Sequence, residues 1–261
     1  AAKSTAQVTK SFIKKIPEKN LKTSNSVATN QTYAKVLEAD NSVDTEELED
    51  DKPLVIKKTH RPLSDMQLAE LEYNKGYQSL QQGRMQRGKE HLREALLLDA
   101  SHLKAREMLS GIYIKSGRYI EAASLLREGV RVVPGYSLFA KLYARVLLEQ
   151  NNPRLAIQVL ERGANASNVA SDYQALLAAT YQRVKNHEKA IEIYLQLVKV
   201  NPTVSIWWLG LAISLEKSGK NKAALDAYQR AQKTGNLKAG LVKFTNNRVS
   251  ALKEIGFPKK N

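Results

Sequence analysis

The sequence predicts an all-α solenoid of about five helical hairpins and a capping helix. Three observations carry this expectation. Ala122, Ala156, Ala190 and Ala224 lie 34 residues apart, three intervals in a row. Gly83, Gly117 and Gly219 fall on a second lattice of the same period, with Asn151 and Lys185 at the places between. Proline is scarce, 7 in 261 residues, which suits long helices because proline removes an amide donor and breaks them. A fixed period of this length marks stacked supersecondary units, none of which can bury its apolar face alone.

The elements follow in chain order. Residues 1–63 are rich in Lys, Ser, Thr, Asn and Gln and hold 11 basic and 9 acidic side chains. Seven of the acids crowd into DNSVDTEELEDD, Asp40 to Asp51. So little apolar surface cannot offset the entropy of an ordered chain. The region is therefore expected to be a flexible polar linker. A transient helix is expected near Tyr33 to Glu38, and Leu54, Val55 and Ile56 would be the sticky spot if the linker docks.

From Leu63 the apolar pattern turns helical, and residues 64–261 are assigned to the repeats. The first unit carries Gly76, Gly83, Gly88, Leu92 and Ala95, and is the weakest, as a terminal repeat should be. The second shows Leu109, Ser110, Tyr113, Gly117, Ala122, Leu126 and Gly129; the third, Tyr143, Ala144, Leu147, Ala156, Leu160 and Gly163. Leu177, Ala178, Tyr181, Ala190 and Tyr194 mark the fourth, and Trp208, Leu211, Ala212, Leu215, Gly219, Ala224, Tyr228 and Ala231 the fifth. Leu237 to Ile255 is amphipathic and would cover the last apolar face. In physical terms, two antiparallel helices pack so closely that only small side chains fit at the crossing. The turn between them prefers Gly or Asn, and Pro134 and Pro202 stop second helices.

This pattern resembles the tetratricopeptide repeat family. The resemblance implies a right-handed superhelix whose first helices line a concave, protein-binding face. The family's groove offsets fall on Tyr73, Asn74 and Tyr77, then Lys104, Glu107, Gly111 and Lys115, then Lys141 and Arg145. They continue through Ala175, Ala179, Gln182 and Arg183 to Leu209, Ile213 and Lys217. The candidate partner-binding residues are Tyr73, Tyr77, Lys104, Lys141, Arg145 and Arg183, where no packing role is expected of a long basic or phenolic side chain. A basic groove suits an acidic peptide or a C-terminal carboxylate. Glu107 and Gly111 do not reproduce the Lys and Asn clamp of the chaperone-binding members. Trp208 takes the large core position of its repeat, and Trp207 is expected to pack on the preceding repeat.

The net charge is +15, of which +13 falls on residues 64–261. Such an excess favours anionic partners and says nothing of fold. With no cysteine there is no disulfide, Cys-ligated metal or thiol chemistry. The longest apolar run, Ile206 to Ile213, falls far short of the ~20 residues that cross a bilayer. GRMQRGK, Gly83 to Lys89, has part of the spacing of a phosphate-binding loop, but Glu90 stands where a Ser or Thr must hold magnesium. His60, His91, His102 and His187 show no metal-ligand spacing, though His91 and His102 flank one turn and could approach. No nucleophile motif or dinucleotide fingerprint appears. An enzyme is not expected, nor a cofactor or metal.

Four stretches go beyond the generic repeat: REMLSGIYIKSGR (Arg106 to Arg118), FAKLYARVLLEQ (Phe139 to Gln150), DYQALLAATYQRVKNHEKA (Asp172 to Ala190) and WWLGLAISLEKSG (Trp207 to Gly219). They include Arg145, Glu149, Gln150, Trp207 and Gly210, which the repeat itself does not demand. These stretches resemble the MshN family of mannose-sensitive haemagglutinin (MSHA) pilus biogenesis proteins. That resemblance implies the periplasmic part of an inner-membrane protein whose N-terminal span is missing here. It also implies a non-catalytic scaffold whose partners are other type IV pilus-assembly proteins. The alternatives are a basic nucleic-acid-binding solenoid, which lacks a base-reading pair at a fixed offset, and a generic peptide-binding adaptor.

Overall fold

The computed structural model describes residues 62–164 and 170–254. The segment 1–61, with its expected linker and transient helix, lies outside the described residues. Within them are eleven helices and no strand. They are α1 (Asp65–Gln81), α2 (Met85–Leu98), α3 (Leu103–Lys115), α4 (Tyr119–Val132), α5 (Ser137–Glu149), α6 (Pro153–Gly163), α7 (Ser171–Arg183), α8 (His187–Val200), α9 (Ser205–Lys217), α10 (Asn221–Lys233) and α11 (Ala239–Glu254). Each packs on the helix before and the helix after it, and α9 also reaches α7. Five hairpins, α1/α2 to α9/α10, therefore stack in sequence order and α11 closes the end. This is the all-α solenoid that the 34-residue period predicts.

The turn lattice has a single geometry. Gly83, Gly117 and Gly219 have φ of 75°, 71° and 74°, and Asn151 and Lys185, at the intervening places, have 58° and 64°. All five therefore sit in the left-handed region. Each turn is closed by the same bond, from an N–H to the carbonyl five residues back: Arg84 to Ser79 (2.8 Å), Arg118 to Tyr113 (2.9 Å), Asn152 to Leu147 (2.8 Å), Asn186 to Tyr181 (2.9 Å) and Lys220 to Leu215 (2.9 Å). This is the Schellman closure, which satisfies carbonyls left open at a helix end. The next helix begins at once. Where Gly is absent from the third and fourth turns, Asn152 and Asn186 cap α6 and α8 by accepting from Leu155 and Lys189 N–H.

Small residues mark the crossings. Ala122, Ala156, Ala190 and Ala224 are wholly buried. In the first hairpin the backbones meet directly, since a Cβ on Gly76 would lie 3.2 Å from the Gly88 carbonyl. On α4 and α6, Gly129 and Gly163 receive aromatic rings of the next hairpin, Phe139 and Tyr173. The Tyr173 hydroxyl then donates to the Leu160 carbonyl at 2.8 Å. One glycine that the repeat does not require, Gly210, has the same explanation: a Cβ there would enter the Tyr194 ring.

Trp208 corrects one expectation. It is half-buried rather than a core residue, with the Arg230 guanidinium 5.0 Å from its ring and its Nε1 donating to the Pro202 carbonyl at 2.8 Å. Three periods earlier the same place holds Arg106, which is buried. It donates to the Ala100 carbonyl at 2.7 Å, again six residues back, and to the Leu125 carbonyl at 2.8 Å. Burial lowers the Arg106 pKa, opposed by the charges of Glu128 and Asp99. In these two units the side chain at this place pins the connecting loop through a donated bond, while the units between carry Ala140 and Gln174 there. Trp207 is partly buried against the core.

Two substitutions test this account with opposite signs. Ala156→Leu or Ala190→Leu should destabilise by about 1–3 kcal/mol through overpacking at a crossing. Lys185→Gly should stabilise by roughly 1 kcal/mol, because a side chain is disfavoured in the left-handed region. Urea unfolding would measure both; unchanged midpoints would contradict the crossing and the turn assignments respectively.

Candidate binding groove

The first helices of the hairpins, α1, α3, α5, α7 and α9, carry the groove positions. A run of polar bonds links each first helix, or its N-cap residue, to the next. Between α1 and α3, His102 Nε2 lies 3.1 Å and Lys104 Nζ 3.4 Å from the Glu70 carboxylate. His102 Nδ1 accepts from Ala105 N–H at 3.2 Å, so Nε2 holds the proton and donates to Glu70. Between α3 and α5, the Tyr136 hydroxyl donates to Glu107. Burial raises the Glu107 pKa and the Tyr136 bond opposes that rise.

Between α5 and α7, Lys141 Nζ meets Asp172 Oδ2 at 2.9 Å, with only 12% of the lysine side chain exposed. Arg183 adds bonds to the Leu148 carbonyl (3.0 Å) and to Asn151 Oδ1 (2.8 Å). Between α7 and α9, buried Gln182 donates from Nε2 to the Gly210 carbonyl and to Ser214 Oγ, both at 2.7 Å. At the cap, the Arg248 guanidinium of α11 holds the Glu216 carboxylate at 2.5 and 3.1 Å, and the Tyr228 hydroxyl donates to the same group at 2.8 Å.

This ladder changes the reading of the groove residues. Tyr73 is buried, 5.2 Å from the His102 ring and with Lys104 Nζ 5.6 Å from its own ring centre. Lys141 and Arg183 have packing partners, contrary to the expectation that none was required of them. Ala175, Ala179, Leu209 and Ile213 are buried as well, because successive first helices lean on one another there. What the groove leaves open is Tyr77, half-buried on α1, exposed Lys115 and Lys217, and Arg145. Arg145 is half-buried on α5, one turn beyond Lys141, and has no hydrogen-bond or ion-pair partner among the described residues.

Sequence reasoning missed the ladder. Its partners lie about one period apart, so the spacing alone gave a signal, but the pairs mix residue types and share no motif. His91 and His102 do not meet as a metal pair; each turns to its own carboxylate, His91 to Glu72 at 2.7 Å. Among the described residues no group of three His, Cys, Asp or Glu could hold a metal ion.

Hairpins of this period, turn and crossing, with a groove lined by first helices, define a solenoid of the binding-scaffold class. Tetratricopeptide repeat family models match residues 114–180 and 176–237, so the stretch from the end of α3 to the end of α10 is similar to tetratricopeptide repeats. The peroxisomal targeting signal receptor of Saccharomyces cerevisiae is 24% identical over 178 residues, 63% of this chain. The chain spans 28% of that receptor's length. Among solved structures, YrrB, a tetratricopeptide repeat protein with an unusual peptide-binding site, is similar with a TM-score of 0.59. It is 15% identical and covers 68% of this chain and 92% of its own. MamA is similar with a TM-score of 0.57 and 17% identity, covering 64% of this chain and 91% of its own. MamA from Desulfovibrio magneticus gives 0.55 and 19%, covering 64% and 94%. At these identities the structures speak to the fold alone.

The ladder predicts a contrast between two arginines that are alike in type but not in role. Arg183→Ala should cost about 1–3 kcal/mol, the loss of charge-assisted bonds to the preceding repeat. Arg145→Ala should stay within ~0.5 kcal/mol. Equal unfolding midpoints for the two variants would remove the distinction.

Proposed function

We propose that this chain is a non-catalytic scaffold whose concave face receives an extended segment of a partner protein during assembly of an MSHA-type type IV pilus. Arg145 carries the reading of the groove. A guanidinium that is half-buried and unpaired, where the other unpaired groove cations, Lys115 and Lys217, are exposed, is a place kept for an incoming anion. Tyr77 offers an amphipathic ring on the same face, and aromatic and Arg side chains most often dominate binding energy. The peptide-binding site named for YrrB and the targeting-signal receptor named for the yeast relative both support a peptide or protein segment as ligand.

The pilus and the compartment rest on the four sequence stretches that resemble the MshN family. On that basis the chain works in the periplasm as part of an inner-membrane protein. None of the described helices is long and apolar enough to cross a membrane, so any span would belong to another segment.

A photo-crosslinking residue at position 145, read out in envelope fractions of a piliated cell, should capture a pilus-assembly protein. The same probe at position 199, at the end of a second helix, should not. Arg145→Glu should then weaken that partner by more than ~2 kcal/mol without loss of helicity. Capture from position 199 alone, or affinity indifferent to Arg145→Glu, would move the interface off the groove.

A further inference from the structure

The five turns inside the hairpins all lie along one edge of the solenoid, because each hairpin stacks on the next in register. That edge is basic. Arg84, Arg87, Lys115, Arg154, Lys185 and Lys222 are exposed there, and none has a carboxylate partner among the described residues. Its acids are few. Glu121 and Glu188 are held by Arg118 and Lys220, which leaves exposed Glu149 and, one turn beyond Arg87, exposed Glu90 without a cation. The opposite edge, where second helices lead to the next first helix, is different. Its first connection carries Asp99, its second carries Arg131 already paired with Glu128, and unpaired cations follow at Arg162, Lys199, Lys233 and Lys238.

The basic edge carries two further features, the first of them shared with the opposite edge, where Leu97 and Val200 are 79% and 77% exposed. Met85 and Ile120 stand in the first turns of α2 and α4 with 50% and 78% of their surface exposed, flanked by Arg84, Arg87 and Arg118. Between the third and fourth turns lies an open hollow of about 440 Å³, lined by Asn151, Asn152, Arg154, Arg183 and Lys185. It is polar, cationic and of a size to take a phosphate-bearing headgroup.

We infer that this edge docks on an anionic lipid bilayer, with the cations on the headgroups and Ile120 and Met85 entering the interface. The row meets the groove at Lys115, and its other cations lie outside the groove. Neighbouring turns stand roughly 10 Å apart, the spacing of packed helices, so the charges form a row rather than a point. A row at this spacing exceeds the screening length of ~8 Å only slightly and acts on a charged plane as a sum. The cations occupy different places in successive turns. A partner with its own fixed charge sequence would impose a register, whereas a fluid headgroup layer needs none. Nucleic acid is disfavoured by the lack of an open aromatic ring for base stacking, since Tyr119, the aromatic nearest these tips, is half-buried. Basic side chains beside protruding apolar ones are the composition of an interfacial contact.

Flotation of the full chain would test this with vesicles of phosphatidylcholine alone and with roughly a third phosphatidylglycerol. At about fivefold per basic side chain, the anionic vesicles should bind at least tenfold tighter. Arg84→Glu, Arg87→Glu and Arg154→Glu together should remove that preference. Ile120→Ser should cost a few-fold that added salt does not change. Lys199→Glu, Lys233→Glu and Lys238→Glu together, and Arg145→Glu separately, should leave vesicle binding within about threefold. Melting curves of the variants, all on exposed or groove positions, establish that each is folded. The inference is overturned by equal binding to both vesicles, or by equal loss from the two triple variants. It is also overturned if a single-stranded oligonucleotide or poly-glutamate binds the edge more tightly than the anionic vesicles do.

Discussion

The close approach of two helices at each hairpin crossing is the constraint on which everything else depends. It admits only Ala or Gly at one point of the second helix, and it requires the chain to reverse within a few residues. The reversal in turn requires a left-handed residue, which glycine supplies without cost and which Asn151 and Lys185 adopt under the pull of the hairpin. Once the hairpin is set, its outer face is apolar and incomplete, and the next hairpin is the only thing that can cover it. Phe139 against Gly129 and Tyr173 against Gly163 show how that covering is keyed: a ring on one unit fills the gap left by a missing side chain on the unit before.

A second layer of specificity sits on top of this packing. The apolar contacts would tolerate small rotations of one hairpin against the next, but the polar bonds between first helices do not. Lys141 with Asp172, Arg183 with Leu148 and Asn151, and Gln182 with Gly210 and Ser214 each fix one relative orientation, and burial makes a missed bond expensive. Side chains that a groove might offer to a ligand are thereby consumed by the superhelix itself. Arg145 is not, and unlike Lys115 and Lys217, which are also unpaired, it is half-buried.

The period, the turns and the crossings were legible in the sequence because they repeat: a place that must be small or left-handed is so in unit after unit. The inter-repeat bonds were not, because each junction solves the same problem with different chemistry. Trp208 and Arg106 make this plain. They occupy one lattice place, look unrelated, and donate to the same loop carbonyl. The tryptophan invites the assignment of a core residue; only the arginine, three units away, shows that the hydrogen bond matters. The groove was legible as a surface, but which of its residues were already spoken for depended on partners a full period away.

The order of contacts has a mechanical consequence. With each helix resting on its sequence neighbours, and α9 on α7 the one further contact of note, no strut ties the first hairpin to the last. A load along the axis is shared by every junction in series, so the solenoid yields as a spring does, by a small change of pitch at each step. The stiffness of such a spring is governed by its softest coil. The junctions differ in chemistry rather than in kind: His102 and Lys104 hold Glu70 at the first, and the sheltered Lys141 to Asp172 pair holds the third. Extension would therefore widen the groove by small steps shared along its whole length, with no single hairpin torn from its neighbours.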